Sequence, residues 1–147
     1  MPALMEIKKI LVPVSGGSAD EEAINLACNL ARKLKTKVYA AYVIEVERDL
    51  PLDTPVDSET EKAEEILTHA EDIATKADYD IETDLLQARE TGPAIVDEAV
   101  GKGVDLIVMG IDYKKRLGVF DLGEAVSYIL KEAHCQVLLY REPFPQE

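Results

Sequence analysis

A chain of 147 residues has the length of one ordinary domain, and at that length roughly 70% of the unfolded surface is buried on folding, so no disulfide or metal staple is required. Hydrophobic residues make up 47% and charged residues 31%, a globular composition that excludes disorder for the bulk of the chain. Sixteen Lys and Arg against 29 Asp and Glu give a net charge of -13, which repels polyanions; nucleic acid and anionic membrane are therefore not expected as partners.

Residues 7–14 form a nearly continuous β-prone run, and the pattern returns at 37–44, 104–109 and 136–140. Runs without alternation predict strands buried on both faces. Between the first two, residues 18–35 place Ala23, Ala27, Leu30 and Leu34 at helical spacing, and Ser18 with Glu21 has the form of a capping box. A second helix opens at Ser58 with Glu61 and carries the stripe Ala63, Ile66, Leu67, Ala70, Ile73, Ala74, ending near Ala77. Residues 80–86 alternate Ile81, Thr83 and Leu85 with acids, the period of an edge strand with one wet face. Thr91, Gly92 and Pro93 begin a short helix to Val100, closed by Gly101 and Gly103. A last helix over 122–133 turns Val126, Ile129, Leu130 and Ala133 inward.

The order β-α-β-α-β-α-β-α-β predicts an α/β fold, a parallel sheet covered on both faces, in one domain spanning 1–147. Residues 45–57 and 112–121 do not fit regular structure, and both follow strand C-termini, the edge at which open α/β sheets bind ligands. The apolar runs fall far short of the roughly 20 residues of a membrane span. Residues 1–11 lack the apolar segment of a secretory signal, so a cytoplasmic location is expected.

Cys28 and Cys135 have no metal or redox spacing and read as reduced, buried thiols on apolar helix faces. His69 and His134 have no metal-spaced partner. Ser15 before Gly16 and Gly17 lacks the surrounding motif of a hydrolase nucleophile and reads as the turn leading a helix. Adjacent acids such as Glu21 and Glu22, or Glu64 and Glu65, point in different directions and read as solubilising. No catalytic residue and no metal ligand set is expected.

Ile10-Leu11-Val12-Pro13-Val14, the block Gly92-Pro93-Ala94-Ile95, the run Asp105-Leu106-Ile107-Val108-Met109-Gly110 and the closing Cys135-Gln136-Val137-Leu138-Leu139 together resemble the universal stress protein family, over residues 7–140. The resemblance implies a Rossmann-like, three-layer α/β/α fold with a five-stranded parallel sheet of order 3-2-1-4-5. It also implies a cytoplasmic stress-response protein, commonly a homodimer. Family members that bind ATP carry G-x2-G-x9-G-[ST], with glycines at the phosphates and a hydroxyl residue at the start of the last helix, and an aspartate after the first strand near the ribose.

This chain departs from that pattern. Gly110 and Gly123 match its first and last glycines, but the second falls on Tyr113 and the hydroxyl positions fall on Glu124 and Val126. The aspartate position falls on Ser15, and the adenine-side position at the end of the second strand falls on Val43. Pro13 and Met109 at the strand ends and Ala125 in the last helix complete the degenerate site. Asp121 and Glu124 have capping-box spacing, so the protein's own carboxylates are expected to occupy the amides a phosphate would take. No cofactor is then expected, and the chain acts through an unidentified protein partner. The alternative is ATP or AMP held with help from Lys114, Lys115 or Arg116. Val137, Leu138, Leu139 and Tyr140 on the last strand would form an exposed edge that a homodimer covers.

Overall fold

Ile10, Leu11 and Val12 are fully removed from water, because they lie in β1 (Lys9–Pro13), the middle strand of a parallel sheet with helices on both faces. The computed structural model describes residues 6–55, 57–113, 115–116, 119–120 and 123–144. After β1 come α1 (Ala19–Leu34), β2 (Lys37–Glu45), α2 (Asp57–Lys76), β3 (Glu82–Ala88), α3 (Thr91–Lys102) and β4 (Leu106–Ile111). A small antiparallel pair, β5 (Lys115–Arg116) and β6 (Val119–Phe120), precedes α4 (Glu124–Glu132) and β7 (Gln136–Arg141).

The main sheet runs β3-β2-β1-β4-β7 and is parallel throughout, the order 3-2-1-4-5 when its own strands are counted. Successive residues of a strand face opposite ways, so each central strand feeds two cores. Ile10, Val12, Val38, Ala40, Leu106 and Val108 pack with α1 and α2. Leu11, Tyr39, Ala41, Ile107 and Met109 pack with α3 and α4. Each large aliphatic side chain so buried contributes roughly 1.5 to 3 kcal/mol, which is why the unalternating runs specify central strands.

Several local expectations are corrected. The buried face of α1 is Ala23, Ile24, Ala27, Cys28 and Ala31, with Leu30 and Leu34 at its margin. Ser18 makes no side-chain cap to α1, because its hydroxyl is drawn away by two carboxylates. Gly101 lies inside α3, and Gly103 alone ends that helix in the left-handed conformation. Only Ile129 of α4 is buried, while Leu130 is 43% exposed. Cys135 is half-buried in the turn before β7 rather than on a helix. The segment after β4 contains the β5–β6 pair where irregular chain was expected. Finally, no residue of β7 is fully buried, since β4 flanks it on one side and nothing among the described residues flanks the other. β3 is the opposite edge, as its alternation predicted.

Candidate functional site

Strand order reverses between β1 and β4, so the crevice beyond their C-terminal ends is where this topology offers a ligand site. In this chain the crevice is narrow at its base. A Cβ on Gly110 would lie 2.6 Å from the backbone oxygen of Ala19, a separation real side chains do not adopt. Gly110 thus lets the start of α1 rest directly on β4. The residue that the family motif assigns to a phosphate has a packing role here.

Around that base, backbone donors are bound to the protein's own acids. The Asp20 carboxylate folds back over the β1–α1 turn and accepts from the amides of Ser15 at 3.2 Å and Gly16 at 2.7 Å. Burial pushes the Asp20 carboxyl above its ordinary value; the two amides oppose the rise, the nearby Asp112 adds to it, and His69 opposes it. Asp112, just past β4, accepts from the Ala19 amide at 2.9 Å, placing a negative charge on the α1 N-terminus. Glu142, just past β7, accepts from the Tyr113 amide at 3.2 Å and from the Ser18 hydroxyl at 2.7 Å. The Ser18 hydroxyl also lies 3.2 Å from Asp112, so one hydroxyl joins two carboxylates. Farther along the edge, Glu45 at the end of β2 accepts from the Thr91 amide at 2.9 Å and its hydroxyl at 3.0 Å, which charges the α3 N-terminus in the same way.

Two adjoining clefts open on this edge. One of about 360 Å³ is lined by Val14, Ser15, Tyr42, Val43, Glu45, Glu59 and Thr91. The other, about 210 Å³, is lined by Glu45, Glu90, Thr91, Gly92, Pro93, Glu124, Ala125 and Tyr128. Ser15 and Val43 therefore meet in one cleft, Glu124 and Ala125 in the next, and Glu45 with Thr91 forms the wall between them. Pro13 ends β1, and Met109 with Gly110 lies near the end of β4. Tyr113 turns away, its ring 5.2 Å from that of Phe144 and 4.9 Å from the Arg141 guanidinium. Val126 packs against the apolar cluster beneath α3 and α4.

The expected capping box on α4 is corrected in register. Gly123 is the N-cap, with φ +86° that strains any L side chain, so Glu124 is the first helical residue rather than the third. Asp121 and Lys114 lie outside the described residues, as do the side chains of Lys115 and Arg116. Built-in anions are seen at α1 and α3. Asp20, Glu45, Asp112 and Glu142 were not singled out from the sequence. Their only signal was an acid within two residues of a strand end or at a helix start, and its meaning depends on which strands are neighbours.

No three His, Cys, Asp or Glu side chains among the described residues are arranged to hold a metal ion. His69 lies with Glu61, Glu64, Glu65 and Asp72 along an open groove on the outer face of α2. Burial pushes both cysteine thiols up, the state of unreactive sulfur. No described helix is long and apolar enough to cross a membrane.

The model of the universal stress protein family matches residues 6–141. A universal stress protein of Methanocaldococcus jannaschii is 32% identical over 142 residues, covering 92% of this chain and 83% of the relative. Among solved structures, a universal stress protein from Archaeoglobus fulgidus superposes with TM-score 0.77 at 24% identity, over 90% of this chain and 97% of the other. A structure of the Archaeoglobus fulgidus protein in complex with dAMP gives 0.74 at 23%, over 90% and 96%. A universal stress protein in complex with cAMP gives 0.71 at 22%, over 90% and 96%. With the sheet order, the two helical layers and the matched motifs in agreement, the chain belongs to the universal stress protein family.

Proposed function

We propose that this chain is a single-domain, non-enzymatic stress-response factor that has lost ATP binding and works as a cytoplasmic homodimer through contacts with other proteins. The observation that carries this reading is the occupancy of the crevice: the amides of Ser15, Gly16, Ala19, Thr91 and Tyr113 already donate to Asp20, Asp112, Glu45 and Glu142. A phosphate entering there finds these five amides taken and carboxylates in their place. One carboxylate about 4 Å from a phosphate opposes it by roughly 4 kcal/mol at an effective dielectric near 20. Since about 1.4 kcal/mol is tenfold in affinity, a micromolar site would become negligible. Glu124 at the start of α4 adds a further charge, Tyr113 lacks the small size of the glycine in the nucleotide-binding pattern, and Val126 lacks its hydroxyl.

Dimerisation is proposed through β7, whose Val137, Leu138, Leu139 and Tyr140 form an edge that a second copy would cover. The second reading, an ATP- or AMP-binding sensor, draws on the nucleotide complexes of similar fold and on the retention of Gly110 and Gly123. Against it, Gly110 has a local cause in the approach of Ala19, and Gly123 has one in its positive φ.

Native mass spectrometry of the full chain, purified without nucleotide and then titrated with ATP, tests both parts of the proposal. An empty dimer that stays empty is expected. The triple variant Tyr113→Gly, Glu124→Ser, Val126→Thr should gain ATP affinity if loss came by substitution. Retained ATP or AMP in the unaltered protein would overturn the ligand-free reading, and a monomer at micromolar concentration would overturn the dimer.

A further inference from the structure

The apolar layer beneath α3 gives way to charge at one end. Leu86 and Ala88 of β3 pack into that layer, and the next residue on the same face of the strand is Asp84. Over Asp84 lie Glu98 and Lys102, one turn apart on α3. The Lys102 ammonium is 3.2 Å from Asp84 and 3.9 Å from Glu98, so two carboxylates converge on one cation. The two acid side chains are only 28% and 18% exposed. Asp84 Oδ2 is closed off from water and, among the described residues, left short of a well-aligned donor.

The charged groups of the neighbouring elements are engaged elsewhere or turned outward. On β2, the Tyr39 ring lies 4.7 Å from the Lys102 ammonium, and Lys37 meets Glu82 of β3 at 3.5 Å. On β1, the Lys9 ammonium donates to the Lys102 backbone oxygen at 2.8 Å. Of α4, which packs beside α3, Tyr128 lies against Gly92 at the other end of α3, and Lys131 and Glu132 are exposed. The cluster therefore holds one acid in excess. Burial and the neighbouring Asp84 carboxylate push the Glu98 carboxyl above its ordinary value, against the pull of Lys102.

We infer that Asp84, Glu98 and Lys102 form an acid-strengthened clasp: as the pH falls, Glu98 takes a proton from solvent and donates it in a hydrogen bond to the Asp84 carboxylate, tying α3 to the edge strand β3. The proton ends the repulsion between the two acids and gives Asp84 the donor it lacks. One carboxylate facing one ammonium remains, and a hydrogen bond from a neutral carboxyl to a carboxylate is among the stronger kinds. The unfolded chain holds the Glu98 proton less tightly than the folded one, so this contribution is complete below the ordinary glutamate value and is lost as pH rises through the folded value. The clasp sits away from the clefts at the C-terminal edge and is independent of whether they take nucleotide.

The test is a carbon-13 NMR titration of the Glu98 carboxyl in the full chain, paired with urea unfolding at pH 8 and pH 5. Glu98 should titrate above the ordinary glutamate range, and Asp84→Asn should lower its midpoint by about one pH unit or more, because the charge is gone and the new amide donates to ionised Glu98. Glu98→Gln carries a neutral donor at every pH and serves as the reference for stability. For a Glu98 midpoint about one pH unit above the ordinary value, the folding constant of the unaltered protein relative to Glu98→Gln should rise about two- to threefold from pH 8 to pH 5. A Glu98 midpoint in the ordinary range would overturn the clasp. So would a raised midpoint that Asp84→Asn leaves in place, which would mean burial alone without a shared proton, or a stability ratio that does not change with pH.

Discussion

The two ends of the parallel sheet treat charge differently. At the N-terminal end of the strands, acids meet lysines: Lys37 lies 3.5 Å from Glu82, and Lys102 lies 3.2 Å from Asp84 and 3.9 Å from Glu98. Lys102 also lies over the Tyr39 ring at 4.7 Å, and its ammonium is pushed above its ordinary value chiefly by the hydrogen bond to Asp84. At the C-terminal end, Asp20, Glu45, Asp112 and Glu142 meet backbone amides and hydroxyls. Ion pairs between long side chains near the surface add little stability and leave the backbone untouched. Carboxylates on amides consume the donors that helix N-termini otherwise present to anionic ligands. The C-terminal edge is thus the one where acids are spent on helix N-termini and the loops beside them, whereas the one acid described on backbone amides at the other end, Asp105, holds the strand amides of Lys8 and Lys9.

That contrast can be broken most forcefully at Gly110. Gly110→Ala puts a Cβ against the Ala19 oxygen, and neither backbone can move without disturbing α1 or β4; a loss of about 3 kcal/mol is expected from urea unfolding. A loss below about 1 kcal/mol would show that the crevice is looser than these distances say.

Next in size is a matched pair. Asp112→Ala removes the acceptor for the Ala19 amide, and Asp105→Ala removes the one for the Lys8 and Lys9 amides at 2.8 and 3.1 Å. Each should cost about 1 to 2 kcal/mol in the same assay. Only Asp112→Ala is expected to accelerate exchange at the start of α1, and acceleration there from both variants would erase the distinction between the two ends.

Asp20 gives a smaller, pH-dependent effect. Its folded-state value is raised, so the unfolded chain gives up this proton first, and stability from this group is lost as pH rises from the ordinary carboxylate value through the folded one. Asp20→Asn keeps one oxygen for the Gly16 amide and removes the charge. Relative to the unaltered protein it should be more favourable at pH 7 than at pH 4, measured by chemical denaturation at both. A difference of the opposite sign would mean that the amides outweigh burial.

The smallest effect is expected for Lys37 and Glu82, whose side chains are 60% and 57% exposed. A double-mutant cycle to alanine should give a coupling below about 0.5 kcal/mol, falling further with added salt. A larger value would mean that the N-terminal end contributes more than its exposure allows.

The sequence was most legible where burial dominates. Ile10, Leu11, Val12, Val38, Ile107 and Val108 announce strands covered on both faces, and the crossover rules leave few ways to arrange them. Ser18 and Glu124 show where legibility ended. Each sits in a segment with sound local cap chemistry, and each is overruled by a distant neighbour or by a shift in helix start: Ser18 by Asp112 and Glu142, Glu124 by Gly123. Local spacing identifies a donor or acceptor but not its competitor from another strand. Built-in anions are present at α1 and α3, where local spacing gave no sign of them.

Asp105 bears on the order of assembly. Its side chain fixes the amides of Lys8 and Lys9 from 97 and 96 residues away, and the Gln136 amide donates to its backbone oxygen, so one residue aligns β1, β4 and β7. Ile10 pairs with Val38 on one side and Leu106 on the other. Closing the longer loop costs about 1 kcal/mol more chain entropy. The first three strands with α1 and α2 can therefore gather before the rest of the sheet docks, and Asp105 acts at the seam. In kinetic terms Asp105→Ala should quicken unfolding and leave the refolding rate nearly unchanged, whereas a slowed refolding limb would place this seam in the nucleus.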